Sequence, residues 1–254
     1  MKKYLIIFMT AVLVFVLAAC GSSSDPSAED GTDENILNTA DEGAENVGDA
    51  AHPYAWLGLQ DMPDCDYLNI LATNRYYRKA DIYIAGMSYV SHEIKAVDGI
   101  NTYEEDETKR VYSIEGKILS LNEDSKTYME EDMSDMAESA AEQYDDAIKN
   151  GTNLSGRSFT GTGTEAVPIY SEQTDDKAEY EYYEYNYPEL EESGDSSTAE
   201  RFYLKDGDVF AIYTKTTWGD LVIESTEIIQ EMSGEIPAGT FELPDLSGYE
   251  KTEL

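Results

Sequence analysis

The side chains suited to chemistry are few. The 254 residues hold two histidines, His52 and His92, and two cysteines, Cys20 and Cys65. A serine or cysteine nucleophile needs a base beside it that is itself oriented. His92 fills that role only if the fold carries it to Cys65 or to a serine, and the chain has no Gly-x-Ser-x-Gly elbow. The histidines and cysteines show no spacing suited to a transition metal. Glu104 to Glu107, Glu130 to Asp132 and Asp175-Asp176 offer hard oxygen ligands. None repeats the calcium loop of alternating Asp or Asn with a central Gly and a closing Glu. Asp206-Gly207-Asp208 reads as a turn. Carboxylate pairs for glycoside hydrolysis say nothing where acids are everywhere. The expectation is a protein that binds rather than catalyses, with no catalytic residue, no cofactor and no metal.

One cysteine does carry a chemical signature. Lys2 and Lys3 precede an apolar run from Tyr4 to Leu17, and Leu17-Ala18-Ala19-Cys20-Gly21 follows. That order is a positive segment, an apolar segment and a small-residue cleavage site, the pattern of an export signal. A cysteine at the cleavage point makes it a lipobox. Cleavage between Ala19 and Cys20, with diacylglycerol on Cys20, is the expected processing. The mature protein then sits outside the cytoplasm, anchored to the outer face of the cell membrane. No other apolar run approaches the roughly 20 residues needed to span a bilayer. Cys65 is left without a partner and reads as a small buried or half-buried side chain, since no nearby Lys, Arg or His would activate it.

Charge narrows the partners. The chain has 17 basic and 53 acidic residues, a net charge of −36. Losing Lys2 and Lys3 with the signal leaves 15 against 53, near −38. Such a surface repels nucleic acid and anionic headgroups and attracts cations or basic partners. Residues 20–52 read as the lipidated cysteine and an acidic tether. They contain no Lys or Arg and only Ile36, Leu37 and Val47 as large aliphatics, so they cannot offset the entropy of ordering. As a coil such a tether reaches roughly 30 Å.

Residues 53–254 read as one folded domain, opening with Tyr54, Trp56 and Leu57. A short helix is expected over Asp66 to Ala72, capped by Asp64 or Asp66. Period-two patterning follows. Ile82, Ile84, Gly86, Ser88 and Val90 fall on one face of an expected strand. Turns at Asp98-Gly99 and Glu115-Gly116 connect strands around Ile100–Tyr103, Val111–Ile114 and Ile118–Leu121, with Thr127–Met129 after Asn122-Glu123-Asp124, an antiparallel meander. From Asp132 to Asn150 the apolar residues Met133, Met136, Ala137, Ala140, Ala141, Tyr144, Ala147 and Ile148 make one helical stripe. Asp132 or Ser134 caps its start and Gly151 its end. The stripe is narrow and rich in Ala and Met, suited either to a plain core helix or to a movable cover over a cavity. A strand is expected near Arg157–Thr162. Lys177–Tyr187 alternates tyrosine with acid, with a bulge expected between Tyr182 and Tyr183. Glu189–Glu200 reads as an exposed loop. Asp206-Gly207 joins Phe202–Lys205 to Val209–Tyr213 as a tight hairpin. Ile236–Pro244 reads as an extended tail. Twenty tyrosines against six phenylalanines suggest amphipathic walls.

The order of these stretches resembles the outer-membrane lipoprotein carrier (LolA-like) superfamily. Val97-Asp98-Gly99 followed by Tyr103 is similar to that family's turn before its central strands. Phe202-Tyr203-Leu204-Lys205-Asp206-Gly207 is similar to its late hairpin, and Ile236-Pro237-Ala238-Gly239-Thr240-Phe241-Glu242-Leu243-Pro244 to its ending. The resemblance implies a mainly β (α+β) fold: a curved antiparallel sheet or unclosed barrel with a helix packed on the concave side. It implies acyl-chain binding or a sensor role. This chain departs in being a lipoprotein itself, in its acidic tether and in its charge. Tethered relatives of the Gram-positive type fit better than a diffusing shuttle.

The expectation is therefore a monomeric, membrane-tethered module that binds a lipid or other amphiphile between sheet and helix. The expected lining is Ile82, Ile84, Val111, Ile118, Leu121, Met133, Met136, Tyr144, Phe210 and Ile212. The rival is an acidic interaction or sensor module that docks a basic cell-envelope protein and takes no small ligand.

Overall fold

The computed structural model describes residues 52–187 and 196–252. Cys20, the Ala19–Cys20 cleavage point, the tether up to residue 51 and most of the expected Glu189–Glu200 loop lie outside the described residues.

The architecture is mainly β, an antiparallel sheet of 12 strands that does not close into a barrel. Strands β1 (Arg75–Ile84), β2 (Val90–Asp98), β3 (Asn101–Glu105), β4 (Lys109–Ile114), β5 (Lys117–Asn122) and β6 (Thr127–Asp132) form one meander. Strands β7 (Ser158–Ala166), β8 (Glu179–Asn186), β9 (Ser196–Lys205), β10 (Asp208–Trp218) and β11 (Leu221–Ser233) form a second. β1 pairs with β11 from Tyr77 opposite Ser233 to Ile84 opposite Ser225, which fuses the two meanders into one sheet. A short β12 (Glu250–Lys251) adds to the free side of β6, in parallel. Helix α1 (Asp66–Leu71) precedes β1, α2 (Ser134–Asn150) links the meanders, and the one-turn α3 (Tyr170–Gln173) lies between β7 and β8.

Both faces of the sheet are covered. One face carries α1, α2 and the helical turn at Ala55–Leu57. There Trp56, Leu59, Tyr67, Leu68 and Ala147 pack on Tyr185, Phe202, Leu204 and Ile212. The other face has no long helix among the described residues. Over the first meander the C-terminal tail lays Ile236, Phe241, Leu246 and Tyr249 across Tyr77, Tyr103, Tyr112, Leu119 and Leu121. Over the second, Val167, Ile169 and Tyr170 cover Tyr203, Ala211 and Tyr213. Leaving either set of aromatic and aliphatic rows in water would forfeit on the order of 2 kcal/mol per large side chain.

Local signals account for most connections. Asp206-Gly207 and Glu115-Gly116 take positive φ at both central residues (55° and 85°, 50° and 80°), the backbone that a primed hairpin turn requires. Gly151 ends α2 in the left-handed conformation (φ 65°), as expected. At the start of α2, Asp132 Oδ1 accepts from the Ser134 amide at 3.1 Å. Helix α1 receives a long-range cap instead of the expected Asp64 or Asp66. The Tyr67 amide donates to Asp208 Oδ1 at 2.9 Å, which ties the helix to the first residue of β10.

Three readings are corrected. The expected strand from Ile82 to Val90 is the end of β1, a tip at residues 85–89 and the start of β2, with Gly86 at φ 77°. Uncharged tip residues extended the alternation across a hairpin. No bulge separates Tyr182 from Tyr183. β8 is regular, with Tyr182 facing the α3 side and Tyr183 and Tyr185 facing the α1 side. Because both faces are covered, tyrosines on both need no phase slip. The irregularity is in the partner strand, between Phe159 and Gly161. Finally, Ser196–Glu200 is not loop but the first half of β9, and Glu200 is buried.

Two glycines separate backbone conformation from close approach. Gly116 and Gly207 have nearly the same φ, 80° and 85°. A Cβ on Gly207 would meet nothing within 4 Å, whereas one on Gly116 would sit 2.5 Å from the Ser134 Cα at the start of α2. Gly207→Ala should therefore cost about 1 kcal/mol in urea unfolding, the left-handed penalty alone. Gly116→Ala should cost about 2–4 kcal/mol, because the helix must also move.

Candidate functional site

The face beneath α1 and α2 holds most of the expected lining, and it is more polar than the sequence suggested. Arg78 on β1 stands directly opposite Lys95 on β2. Two cations so placed repel each other unless acids surround them. They are surrounded. Arg78 Nη2 pairs with Glu93 at 2.7 Å, Arg78 Nη1 with Glu227 of β11 at 2.8 Å, and Lys95 Nζ with Glu104 of β3 at 2.6 Å. All five side chains are between 13% and 20% exposed. The result is a row of alternating charge across four strands: Glu227, Arg78, Glu93, Lys95, Glu104.

The row is only partly satisfied. Arg78 Nε and Glu227 Oε1 have no aligned hydrogen bond among the described residues, although Glu227 Oε1 is in ion-pair contact with Arg78. Burial raises the Glu227 carboxyl above its ordinary range, and the nearby Glu93 and Glu200 add to this against Arg78 and Lys95. Trp56 Nε1 and the Tyr185 hydroxyl, both on this face, are likewise buried without partners. A second ion pair sits beside the helical turn. Arg157 Nε pairs with Glu200 at 2.9 Å, Tyr187 donates to the same carboxylate at 2.8 Å, and Arg157 Nη1 donates to the Leu57 carbonyl at 3.1 Å. This pair fastens the Ala55–Leu57 turn to β9.

Beyond Glu104 the floor loses its charge, alternates Val, Ile and Met with Ser, and stays half-buried. Glu104 is followed across the sheet by Val111, Ser120 and Met129, and Ile118 lies opposite Ser113 in the adjoining row. Helix α2 starts at the β4–β5 turn, where the Met133 amide donates to the Gly116 carbonyl at 2.8 Å. It ends against Trp56, whose ring meets Tyr144 edge-on at 6.0 Å. Its inner stripe is Ala137, Ala140, Ala141, Tyr144 and Ala147, and only Ala147 is fully buried. On the same face of the sheet Val111, Ser113, Ile118 and Ser120 are each partly accessible.

The structure thus places Ile82, Ile84, Val111, Ile118, Ile212 and Tyr144 on the helix-bearing face, with Met133 at the helix start, but Ile82 and Ile84 lie toward the outer end of β1, away from Val111 and Ile118 on β4 and β5. Two other expected lining residues are elsewhere. Leu121 is fully buried on the opposite face under the C-terminal tail, and Phe210 lies on that face too, packed on Tyr180 at 4.5 Å. A one-residue irregularity between Val209 and Ala211 turns Phe210 away from Ile212. Met136 is on α2 but 49% exposed, on its outer side. Sequence reading missed the charged row entirely. The available signal was a cluster of basic residues, Arg75, Arg78 and Lys79, in a chain otherwise poor in them.

The chemical groups singled out at the start do not converge. His92 is on the surface, its Nδ1 2.6 Å from Asp81. Cys65 is buried at the start of α1, where burial, backed by the Asp208 carboxylate, pushes its thiol up to about 11. No group of three or more His, Cys, Asp or Glu suited to a metal occurs among the described residues. No protein-family model matches the chain, and no curated protein is significantly similar to it.

The ion pairs give a direct test of how the floor is built. Removing one partner of a buried pair leaves the other charge uncompensated, at about 3–5 kcal/mol, whereas replacing both with apolar groups is often neutral. Lys95→Met should therefore destabilise the fold by about 3 kcal/mol in urea unfolding, and adding Glu104→Leu should restore most of that loss.

Proposed function

We propose that this chain is a membrane-tethered envelope lipoprotein, anchored through Cys20, whose folded domain binds an amphiphile between the sheet and α2. It is a binding module and not an enzyme. The observation that carries the reading is the combination on one face: half-buried Val111 and Ile118 set among Ser113 and Ser120, a row of fixed charges beside them, and an alanine-faced helix on the same side. Binding sites for small molecules pair apolar walls with a few polar anchors in this way. Because the anchors include both signs, a single-chain amphiphile with a zwitterionic head suits them. The LolA-like resemblance agrees with this order of meander, helix and meander, and is part of the proposal.

A second reading rests on the outer side of α2. Asp135, Glu138, Glu142, Asp145 and Asp146 are all exposed there, an acidic ridge that would dock a basic envelope protein. Docking of that kind weakens steeply with salt, whereas binding in an apolar strip barely responds.

Calorimetric titration with lysophosphatidylcholine below its micelle concentration separates the two. The proposal expects saturable binding that changes little with salt. Val111→Asp should weaken it at least about tenfold by placing a charge in the apolar strip. Phe210→Leu, on the other face, should leave it unchanged. No binding, or equal loss in both variants, would contradict the reading.

A further inference from the structure

Two neighbouring hairpin tips, one from each meander, expose large aromatic and aliphatic side chains at one end of the sheet. At the β10–β11 turn, Trp218 is 51% exposed, Leu221 43% and Val222 49%. Trp218 and Leu221 are cross-strand partners. The β1–β2 tip lies alongside: Ile84 faces Ser225, and the Ala85 amide donates to the Glu224 carbonyl at 3.0 Å. That tip adds Tyr89, half exposed.

The charge around the tips is as telling as the apolar surface. Residues 84–91 carry no Asp, Glu, Lys or Arg, and neither do residues 196–199, which flank Trp218 from β9. Residues 214–223 carry one base, Lys215, and one acid, Asp220. In a chain of which 28% is charged, these stretches are nearly neutral and rich in Ser and Thr around Trp, Tyr, Leu and Val, with the Glu107 carboxylate at their edge, accepting from Ser91 at 3.0 Å. A basic protein partner would find little charge to hold. Aromatic rings with polar tips beside aliphatic groups, ringed by hydroxyls, match the layer between headgroups and acyl chains of a bilayer.

We infer that the paired tips, through Trp218, Leu221, Val222 and Tyr89, dip into the interface of the phospholipid bilayer that holds the anchor. The inference rests on the proposed anchor at Cys20. Four side chains are too few to hold a free protein on a membrane. A tethered domain needs far less, because linkage supplies an effective concentration in the millimolar range. The chain length permits it. Trp218 lies ten residues along β10 from Asp208, where α1 is capped, about 33 Å at strand rise. Residues 21–52 can span up to about 105 Å, so the tips and Cys20 can reach one surface. Neutral phospholipid is the expected surface, since the protein's overall charge opposes an anionic one.

The test uses the mature lipid-anchored protein reconstituted in phosphatidylcholine vesicles. The chain has two tryptophans, and Trp56 is buried, so the difference between wild type and Trp218→Phe isolates Trp218. The expected result is a blue-shifted difference emission, strongly quenched by phosphatidylcholine brominated on its acyl chains, and lost with Leu221→Ser/Val222→Ser. Emission that stays water-like and unquenched would overturn the inference. So would a blue shift that is not quenched and grows with protein-to-lipid ratio, which would place a second copy on the patch. Failure of the anchor is seen separately, as an N-terminal mass without diacylglyceryl on Cys20. Preformed vesicles mixed with that protein at millimolar lipid then decide the tips by the same quenching.

Discussion

The pairing of β1 with β11 is the constraint on which the rest of the structure depends. Each meander pairs strands that follow one another in the chain, but the two become one sheet only where Arg75–Ile84 meets Leu221–Ser233, about 150 residues away in the chain. Loop closure over that distance is costly in entropy, and the contacts that repay it are specific. Across this seam Arg78 reaches Glu227 at 2.8 Å, while on its other side it holds Glu93. The charged row is therefore also the stitch between the halves. It sets where α1 can lie, because Tyr67 and Leu68 pack on the same central strands. It also sets what α2 must cover.

The parts of the fold written in adjacent residues could be read directly. Asp206-Gly207, Glu115-Gly116 and Gly151 impose backbone conformations that few other residues accept, and all three connections have the expected form. The stripe of α2 keeps one helical period over four turns, so the helix itself was legible, though not whether it is core or cover. What the sequence concealed was mostly long-range. Asp208 caps a helix that begins 142 residues earlier in the chain, a contact no local pattern encodes. The tip at residues 85–89 alternates like a strand and broke only because Gly86 takes positive φ. β1 was hidden by its own charges: Arg78 and Lys79 look like surface, yet Arg78 is central.

The candidate site shows the same division. Ile82, Val111, Ile118 and Tyr144 could be placed on one side by parity and helical period. Leu121 and Phe210 could not, because parity gives a face only after register and bulges are known, and here both faces are buried. The acids were legible in number but not in arrangement. Most are solvated, whereas Glu93, Glu104, Glu200 and Glu227 serve three of the protein's few basic side chains, Arg78, Lys95 and Arg157, in partly dry surroundings. A sheet with a buried polar floor has little reason to carry an alanine-faced helix unless that helix is meant to leave room. Its hold on the protein is concentrated at its two ends, at Gly116 and at Trp56.

The central claim is that α2 is a cover over a binding face and not a fixed part of the core. Hydrogen exchange measured residue by residue tests it most directly, because local opening and global unfolding give different protection. The account predicts that the amides of Ala140, Ala141 and Tyr144 exchange at least about tenfold faster than those of Lys95 and Tyr213. It predicts that lysophosphatidylcholine slows the helix while leaving the strands unchanged. Helix amides protected as fully as those of β2 and β10, with no response to the amphiphile, would contradict it.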